Sequence, residues 1–189
     1  MKELLKLFKM PGHLSILEIH EQLTKASNEL THYCSSLTDE QFFYQPGNKW
    51  SVAQQVKHLT TATQTAGLAF TLPKLIVRWV GGKPNRQSGT YDELVGKYKL
   101  KLQQGGKASS RYIPKPIPVT YGKEKLLNKF SHSMNKMAHS VKKSWKEDQP
   151  DQFIAPHPLL GKITLRELCY FTIYHTYHHL ESIRNLTGK

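Results

Sequence analysis

The chain has 189 residues and a formal net charge of +13, from 27 lysines and arginines against 14 acidic residues. This length suits one domain and no apolar run could cross a bilayer, so we expect a single domain over residues 1–189, without membrane span or signal peptide, in the cytoplasm. The two cysteines, Cys34 and Cys169, are far apart and form no CxxC pair, so neither a disulfide framework nor a thiolate zinc site is indicated.

The first helix is expected over residues 15–37, after an amphipathic segment at residues 1–10 that indicates a short surface-docked stretch. Apolar residues recur along one face at the helical period of 3.6 residues, while Glu18, Glu21 and Glu29 lie on the opposite face. We expect the apolar face to be buried. It consists of Ile16, Ile19, Leu23, Ala26, Leu30, Cys34 and Leu37.

The second helix is predicted to begin after Ser51, because Ser51 and Gln54 have the spacing of a capping box. Pro73 should end or kink this helix, and residues 75–80 then form a short apolar segment before a glycine-rich loop. We expect the apolar stripe of the helix to face the core. The stripe consists of Val52, Val56, Leu59, Thr63 and Phe70.

The third helix is shorter. Thr90 and Glu93 repeat the capping-box spacing, and the helical pattern continues to about Gln104. The connection over residues 105–122 contains three prolines, so we expect it to be extended rather than helical.

The fourth helix, over about residues 123–147, has one apolar face and one lysine face. The stretch from Tyr91 to Lys146 contains 13 basic residues and three acids, a patch that could meet nucleic acid, an anionic membrane or an acidic small substrate. Only five of the 27 basic residues are arginines, which form the bidentate phosphate contacts, so we do not expect nucleic-acid binding. The apolar face consists of Leu126, Leu127, Phe130, Met134, Met137, Val141 and Trp145.

The last helix follows a proline-rich loop. Thr164 and Glu167 form a third capping-box spacing, and the helix should continue to about Leu186. Four long helices and one short one, without alternating strands, predict an all-α helical bundle joined by proline-rich loops.

His175 and His179 lie at the centre of the inward face of the last helix. Residues four apart on a helix are neighbours that point the same way, so both imidazoles can bind one metal ion. The alternative is a pair of core histidines bonded to other groups. We favour the metal, because two buried imidazoles need partners for their nitrogens.

A third ligand has two candidates in the sequence. His58 flanks the apolar stripe of the second helix beside Ala62, where small side chains leave room for the ring to turn. His157 stands in the loop directly before the last helix. The residues alone leave the choice open, with a lean towards His58. The other histidines are expected at the surface; they are His13, His20, His32, His132, His139 and His178.

Two blocks of the sequence resemble the DinB-like (YfiT-like) metal-dependent enzyme family. Residues 50–59 (WSVAQQVKHL) resemble the second-helix signature of that family, and residues 157–161 (HPLLG) with 174–179 (YHTYHH) resemble its closing loop and HxxxH helix. The resemblance implies an antiparallel four-helix bundle whose metal, zinc or nickel, is held by His58, His175 and His179. Ser182 stands where relatives often have Gln.

The resemblance also implies dimers and links to thiol-dependent transferases and isomerases. We therefore expect a divalent-metal-dependent enzyme acting on a small molecule, either a hydrolase or a transferase that uses a low-molecular-weight thiol. The alternative is a stress-related protein that binds a metal without turnover. No pair of carboxylates in the sequence identifies a catalytic acid or base, so the catalytic residues stay unassigned.

The other side of the last helix carries Tyr170, Tyr174 and Tyr177, which makes this helix apolar on nearly all sides. Tyrosine is favoured at interfaces, and we therefore predict a homodimer with the tyrosine face at its two-fold axis. The alternative is that the short helix or the proline-rich loop of the same chain covers these rings.

Overall fold

The computed structural model describes residues 12–188, and the amphipathic segment at residues 1–10 lies outside that range. The described residues are mainly helical, as the sequence predicts. No helix among them is both long enough and apolar enough to span a bilayer. The helices are α1 (Ile16–Ser35), α2 (Asp39–Phe43), α3 (Val52–Thr71), α4 (Lys74–Gly81), α5 (Tyr91–Gln103), α6 (Lys123–Ser144) and α7 (Leu165–Thr187); the strands are β1 (Ile154–His157) and β2 (Gly161–Thr164).

Capping boxes begin five of these helices. In each box a Ser or Thr side chain accepts a hydrogen bond from the backbone N–H three residues on, and the Glu or Gln at that position accepts one in return. The three boxes predicted from the sequence are formed, which confirms the starts of α3, α5 and α7. The five pairs are Ser15 with Glu18, Thr38 with Gln41, Ser51 with Gln54, Thr90 with Glu93, and Thr164 with Glu167.

The long helices pack side by side around the core. Helix α6 contacts α1 and α3, and α7 also contacts both of them. Every residue in the predicted apolar stripes of the first and fourth helices is buried. Burial of apolar surface drives this packing, and in the resulting arrangement α3 lies directly beside α7.

The sequence predicted no strands, and this was wrong for the segment just before the last helix. Strands β1 and β2 form an antiparallel hairpin in which Ile154 pairs with Thr164 and His157 pairs with Gly161. Four-residue strands show too little alternation to be recognised in sequence, and Pro156 within β1 argues against a strand in a sequence reading.

One short segment is helical, and one connection differs from the expectation. The apolar segment at residues 75–80 is part of α4, a two-turn helix whose N-cap, Pro73, makes no side-chain cap. The connection at residues 105–122 is not uniformly extended, since it contains 3-10 turns at Ser110–Tyr112 and Val119–Tyr121.

The tyrosine face of α7 is covered in part by the same chain. Tyr170 is fully buried, and its hydroxyl accepts a hydrogen bond from the backbone N–H of Leu14 at 2.9 Å. Its ring makes an edge contact with Tyr91 of α5, and Tyr98 of α5 makes one with Tyr174. Helix α5 therefore covers Tyr170 and contacts Tyr174, as the alternative to a dimer supposed, while Tyr174 and Tyr177 stay half-buried. The homodimer stays a prediction.

Candidate metal centre

Three histidines from two helices meet in the interior. His175 and His179 lie one turn apart on α7, and His58 faces them from α3. One ring nitrogen of each lies within 4.8 Å of the corresponding atoms of the other two, and all three side chains are buried. The packing of α3 against α7 thus brings together residues that are 117 positions apart in the chain.

Two of these rings are oriented by hydrogen bonds from their Nδ1 atoms. His58 Nδ1 donates to the backbone carbonyl of Tyr112 at 2.7 Å, and His179 Nδ1 donates to Oε1 of Gln55 at 3.0 Å. A neutral imidazole carries one proton, so the Nε2 atom of each ring keeps a free lone pair. Metal-ligating histidines are commonly held in this way, with the second nitrogen bonded to a carbonyl or carboxyl group.

The distance between His58 and His175 fits a shared ion. Their Nε2 atoms are 3.1 Å apart. Two nitrogens bound to one tetrahedral ion at about 2.0 Å lie about 3.3 Å from each other. This pair therefore fits a shared divalent ion, and His179 completes a cluster of three ring nitrogens that could hold one.

Burial keeps the three rings neutral. Desolvation lowers the pKa of His58, and the hydrogen bond to Tyr112 offsets this effect only in part. The pKa values of His175 and His179 lie well below the usual range, first because a buried imidazolium loses its hydration and second because the neighbouring histidines would repel it. Neutral imidazole is the form that binds a metal, so the cluster is ready to do so at neutral pH.

Aromatic rings pack against the cluster. Trp50, just before α3, contacts the ring of His58 with centroids 5.0 Å apart and lies parallel to the ring of His179. Phe171, one turn before His175, stacks on that imidazole with centroids 4.8 Å apart. These contacts restrict rotation of the imidazoles and so hold them in one arrangement.

A cavity of about 410 Å³ reaches the cluster, a volume that suits a small molecule. Its walls come mainly from apolar side chains of α3, α4, α5, the hairpin and α7. Among the described residues, no Asp or Glu lines it, and Lys107 is its only lysine or arginine. The cavity can therefore hold a largely apolar molecule that has its polar end next to the three histidines.

His157 and His178 line this cavity without joining the cluster. His157 Nδ1 accepts hydrogen bonds from the backbone N–H groups of Leu159 and Leu160, at 3.2 and 3.1 Å. The proton of its ring is therefore on Nε2, and burial lowers the pKa of His157 to about 4. Burial also lowers the pKa of His178, which is half-buried rather than at the surface.

The other five histidines lie away from the site. His13, His32, His132 and His139 are exposed, as expected. His20 is half-buried, and its Nδ1 donates to the backbone carbonyl of Ala138 at 3.1 Å.

The two groups that orient the histidines, Gln55 and the carbonyl of Tyr112, were not predicted from the sequence. Gln55 precedes His58 by three positions on one helix, a spacing that places both on the same side and could have identified it. The carbonyl of Tyr112 has no such signal, because a backbone acceptor carries no residue signature.

The family model of the DinB superfamily matches residues 22–183, a range that contains all three histidines of the cluster. No curated protein matches the chain.

Proposed function

The chain belongs to the DinB superfamily, and on that premise we propose that it is a metal-dependent enzyme that holds one divalent ion through the Nε2 atoms of His58, His175 and His179. The observation that carries the proposal is the convergence of these atoms, with His58 Nε2 and His175 Nε2 only 3.1 Å apart. The two Nδ1 hydrogen bonds direct lone pairs of His58 and His179 to the same place.

Zinc or nickel is the expected ion. Imidazole nitrogen suits both metals, whereas calcium and magnesium prefer oxygen ligands. Three protein ligands leave a coordination position open, as in catalytic rather than structural sites. When bound, such an ion supplies Lewis-acid chemistry and lowers the pKa of a coordinated water or thiol.

Two residues of this chain would orient the reaction site. Gln55 and the carbonyl of Tyr112 hold their imidazoles in one tautomer, which keeps Nε2 available. His157, with its proton on Nε2, offers a neutral hydrogen-bond donor within the cavity lining to a carbonyl oxygen of the substrate. A neutral donor can stabilise negative charge that develops on such an oxygen.

The reaction class is hydrolysis or transfer to a low-molecular-weight thiol. The apolar walls favour a substrate with an aliphatic or aromatic part, since they would exclude water from it. Lys107 at the cavity supplies a positive charge for an anionic thiol. A protein that retains the ion without turnover is the alternative, and an assay decides between the two.

We also propose that α1, α3, α6 and α7 form an antiparallel four-helix bundle that makes up one domain over residues 1–189. The contacts of α6 and α7 with both α1 and α3 support it. The family match over residues 22–183 supports one continuous domain.

Elemental analysis of protein loaded with Zn²⁺ or Ni²⁺ tests the site. We expect about one ion per chain, lost in His58→Ala, His175→Ala and His179→Ala and retained in His157→Ala. Full retention in the His175 and His179 variants would contradict the site. Loss in His157→Ala with retention in His58→Ala would assign the third ligand to His157.

Activity is tested on the loaded protein with two panels. One contains low-molecular-weight thiols with an electrophilic co-substrate, and the other contains esters and amides with apolar groups. We expect turnover in one panel that is absent in His175→Ala. A loaded protein that turns over neither panel favours the non-catalytic alternative.

A further inference from the structure

Helix α4 carries an apolar face that nothing in the described chain covers. Leu75 is 83% exposed and Trp79 is 84% exposed, and Ile76 and Val80 are also exposed. Successive residues of a helix are about 100° apart, so these four positions share one side of α4. Large exposed apolar patches on a folded chain are typical of interaction sites.

The other side of α4 is fixed to the protein. Val77 is buried, and Gly81 lies so close to β1 that a Cβ atom there would come within 1.8 Å of the carbonyl oxygen of Ile154. Arg78 lies over the ring of Phe153 at 4.6 Å. The apolar face is therefore held outward by a docked helix and does not belong to a loose segment.

The exposed surface continues into the cavity of the candidate metal centre. Leu68 and Leu72, at the end of α3, are 50% and 40% exposed, and together with Val80 they also line the cavity. We define the α4 patch as Leu68, Leu72, Leu75, Ile76, Trp79 and Val80. The cavity thus reaches the surface at the α4 patch.

The charged residues of α4 and of the segment directly after it are all positive. The sequence from residue 41 to residue 91 contains no Asp or Glu, whereas Lys74, Arg78 and Lys83 lie on α4 or just after it. Lys162 of β2 adds a fourth positive charge near the end of α4. Its Nζ lies 3.7 Å from the position that a Cβ atom would occupy on Gly82. If a second copy of the chain docked face to face on this patch, the cations of both copies would come close together. Residues 41–91 would supply no carboxylate to neutralise them.

We propose that the α4 patch docks on an anionic lipid membrane, with Leu75 and Trp79 in the interfacial layer. Apolar and tryptophan side chains rimmed by Lys and Arg are the features of interfacial helices, and anionic headgroups attract the surrounding cations. Docking in this way places the apolar end of the cavity against the lipid. The inference does not depend on whether a metal is bound.

Co-sedimentation of the full chain with lipid vesicles tests the proposal. One set of vesicles contains phosphatidylglycerol and phosphatidylcholine in equal parts, and the other contains phosphatidylcholine alone. We expect binding to the first set, and brominated acyl chains in those vesicles should quench tryptophan emission, because Trp79 is exposed, whereas Trp145 is buried and Trp50 is half-buried. The double variant Leu75→Ser, Trp79→Ser should bind at least about tenfold less.

The matched control is Leu100→Ser, Val119→Ser, which removes two apolar side chains that are 52% and 55% exposed outside the patch. Its binding should stay within about twofold of the wild type, and circular dichroism should show that both double variants fold. Failure of the wild type to bind, equal binding to neutral vesicles, or full binding by the patch variant would overturn the proposal. So would a wild-type dimer that the patch variant converts to a monomer, since a second copy would then cover the patch.

Discussion

Gln55 Oε1 accepts a hydrogen bond from Nδ1 of His179 at 3.0 Å, and this contact joins α3 to α7 next to the histidine cluster. Gln55 is buried, so water cannot easily replace its amide as the partner of the ring. The contact keeps the proton of His179 on Nδ1 and leaves Nε2 to face His58 and His175. Gln55 itself binds no metal, but it holds His179 in the tautomer that can bind one.

Replacing Gln55 with Leu should weaken the binding of Zn²⁺ by about 10-fold to 100-fold, because His179 loses the acceptor that fixes its tautomer. Competition with a chromogenic chelator measures the affinity. Gln64→Leu is the matched control on the same helix, since Gln64 is exposed and bonds to Ser133 instead. Equal affinities of the two variants would contradict the role given to Gln55.

The free energy of unfolding of the metal-free protein should fall as the pH drops below about 6.5. Burial lowers the pKa of His157 to about 4, so between these two pH values the unfolded state binds a proton that the folded state does not. The contribution of His157 to stability is fully present above the pKa of this histidine in the unfolded state and is lost as the pH falls towards 4. Urea titrations across this range should show a smaller decrease for His157→Gln, whereas His139→Gln, at an exposed site, should behave as the wild type.

Gly81→Ala should destabilise the protein by about 1–3 kcal/mol or more, because the new methyl group meets the carbonyl oxygen of Ile154 at 1.8 Å and α4 must move away from β1. Gly96→Ala is the control in α5, where a Cβ atom meets nothing within 4 Å. That change should instead stabilise by about 0.5–1 kcal/mol. Thermal and urea denaturation of both variants measure the difference, and equal stabilities would refute the close contact.

Arg166→Met should cost about 1–3 kcal/mol of stability. The guanidinium is buried, pairs with Asp151 at 2.8 Å, and donates to the backbone carbonyls of Leu14 and Glu147. Removal of the guanidinium leaves the carbonyls of Leu14 and Glu147 without this donor, whereas water can reach the carboxylate of Asp151. Lys142→Met, on the exposed side of α6, should change stability by less than about 0.5 kcal/mol. A loss of under 1 kcal/mol for Arg166→Met would show that the buried pair contributes little.

Local sequence signals identified the long helices because those signals act over a few residues. The capping boxes at Ser51, Thr90 and Thr164 depend on neighbours three positions away, and the apolar period of 3.6 residues repeats within each helix. The same local geometry placed His175 and His179 on one face. The hairpin of β1 and β2 escaped recognition, since four residues are too few to establish an alternating pattern.

Only the tertiary structure decided which elements meet. The residues alone left His58 and His157 as rival third members of the cluster, and the resemblance favoured His58. The packing of α3 on α7 brings His58 Nε2 to 3.1 Å from His175 Nε2, while the Nδ1 of His157 is taken up by two backbone amides. The sequence also left open whether a helix of the same chain covers Tyr170, as α5 does in the structure. Apolar faces attract without direction, so a sequence shows that a face will be buried but not which partner will bury it.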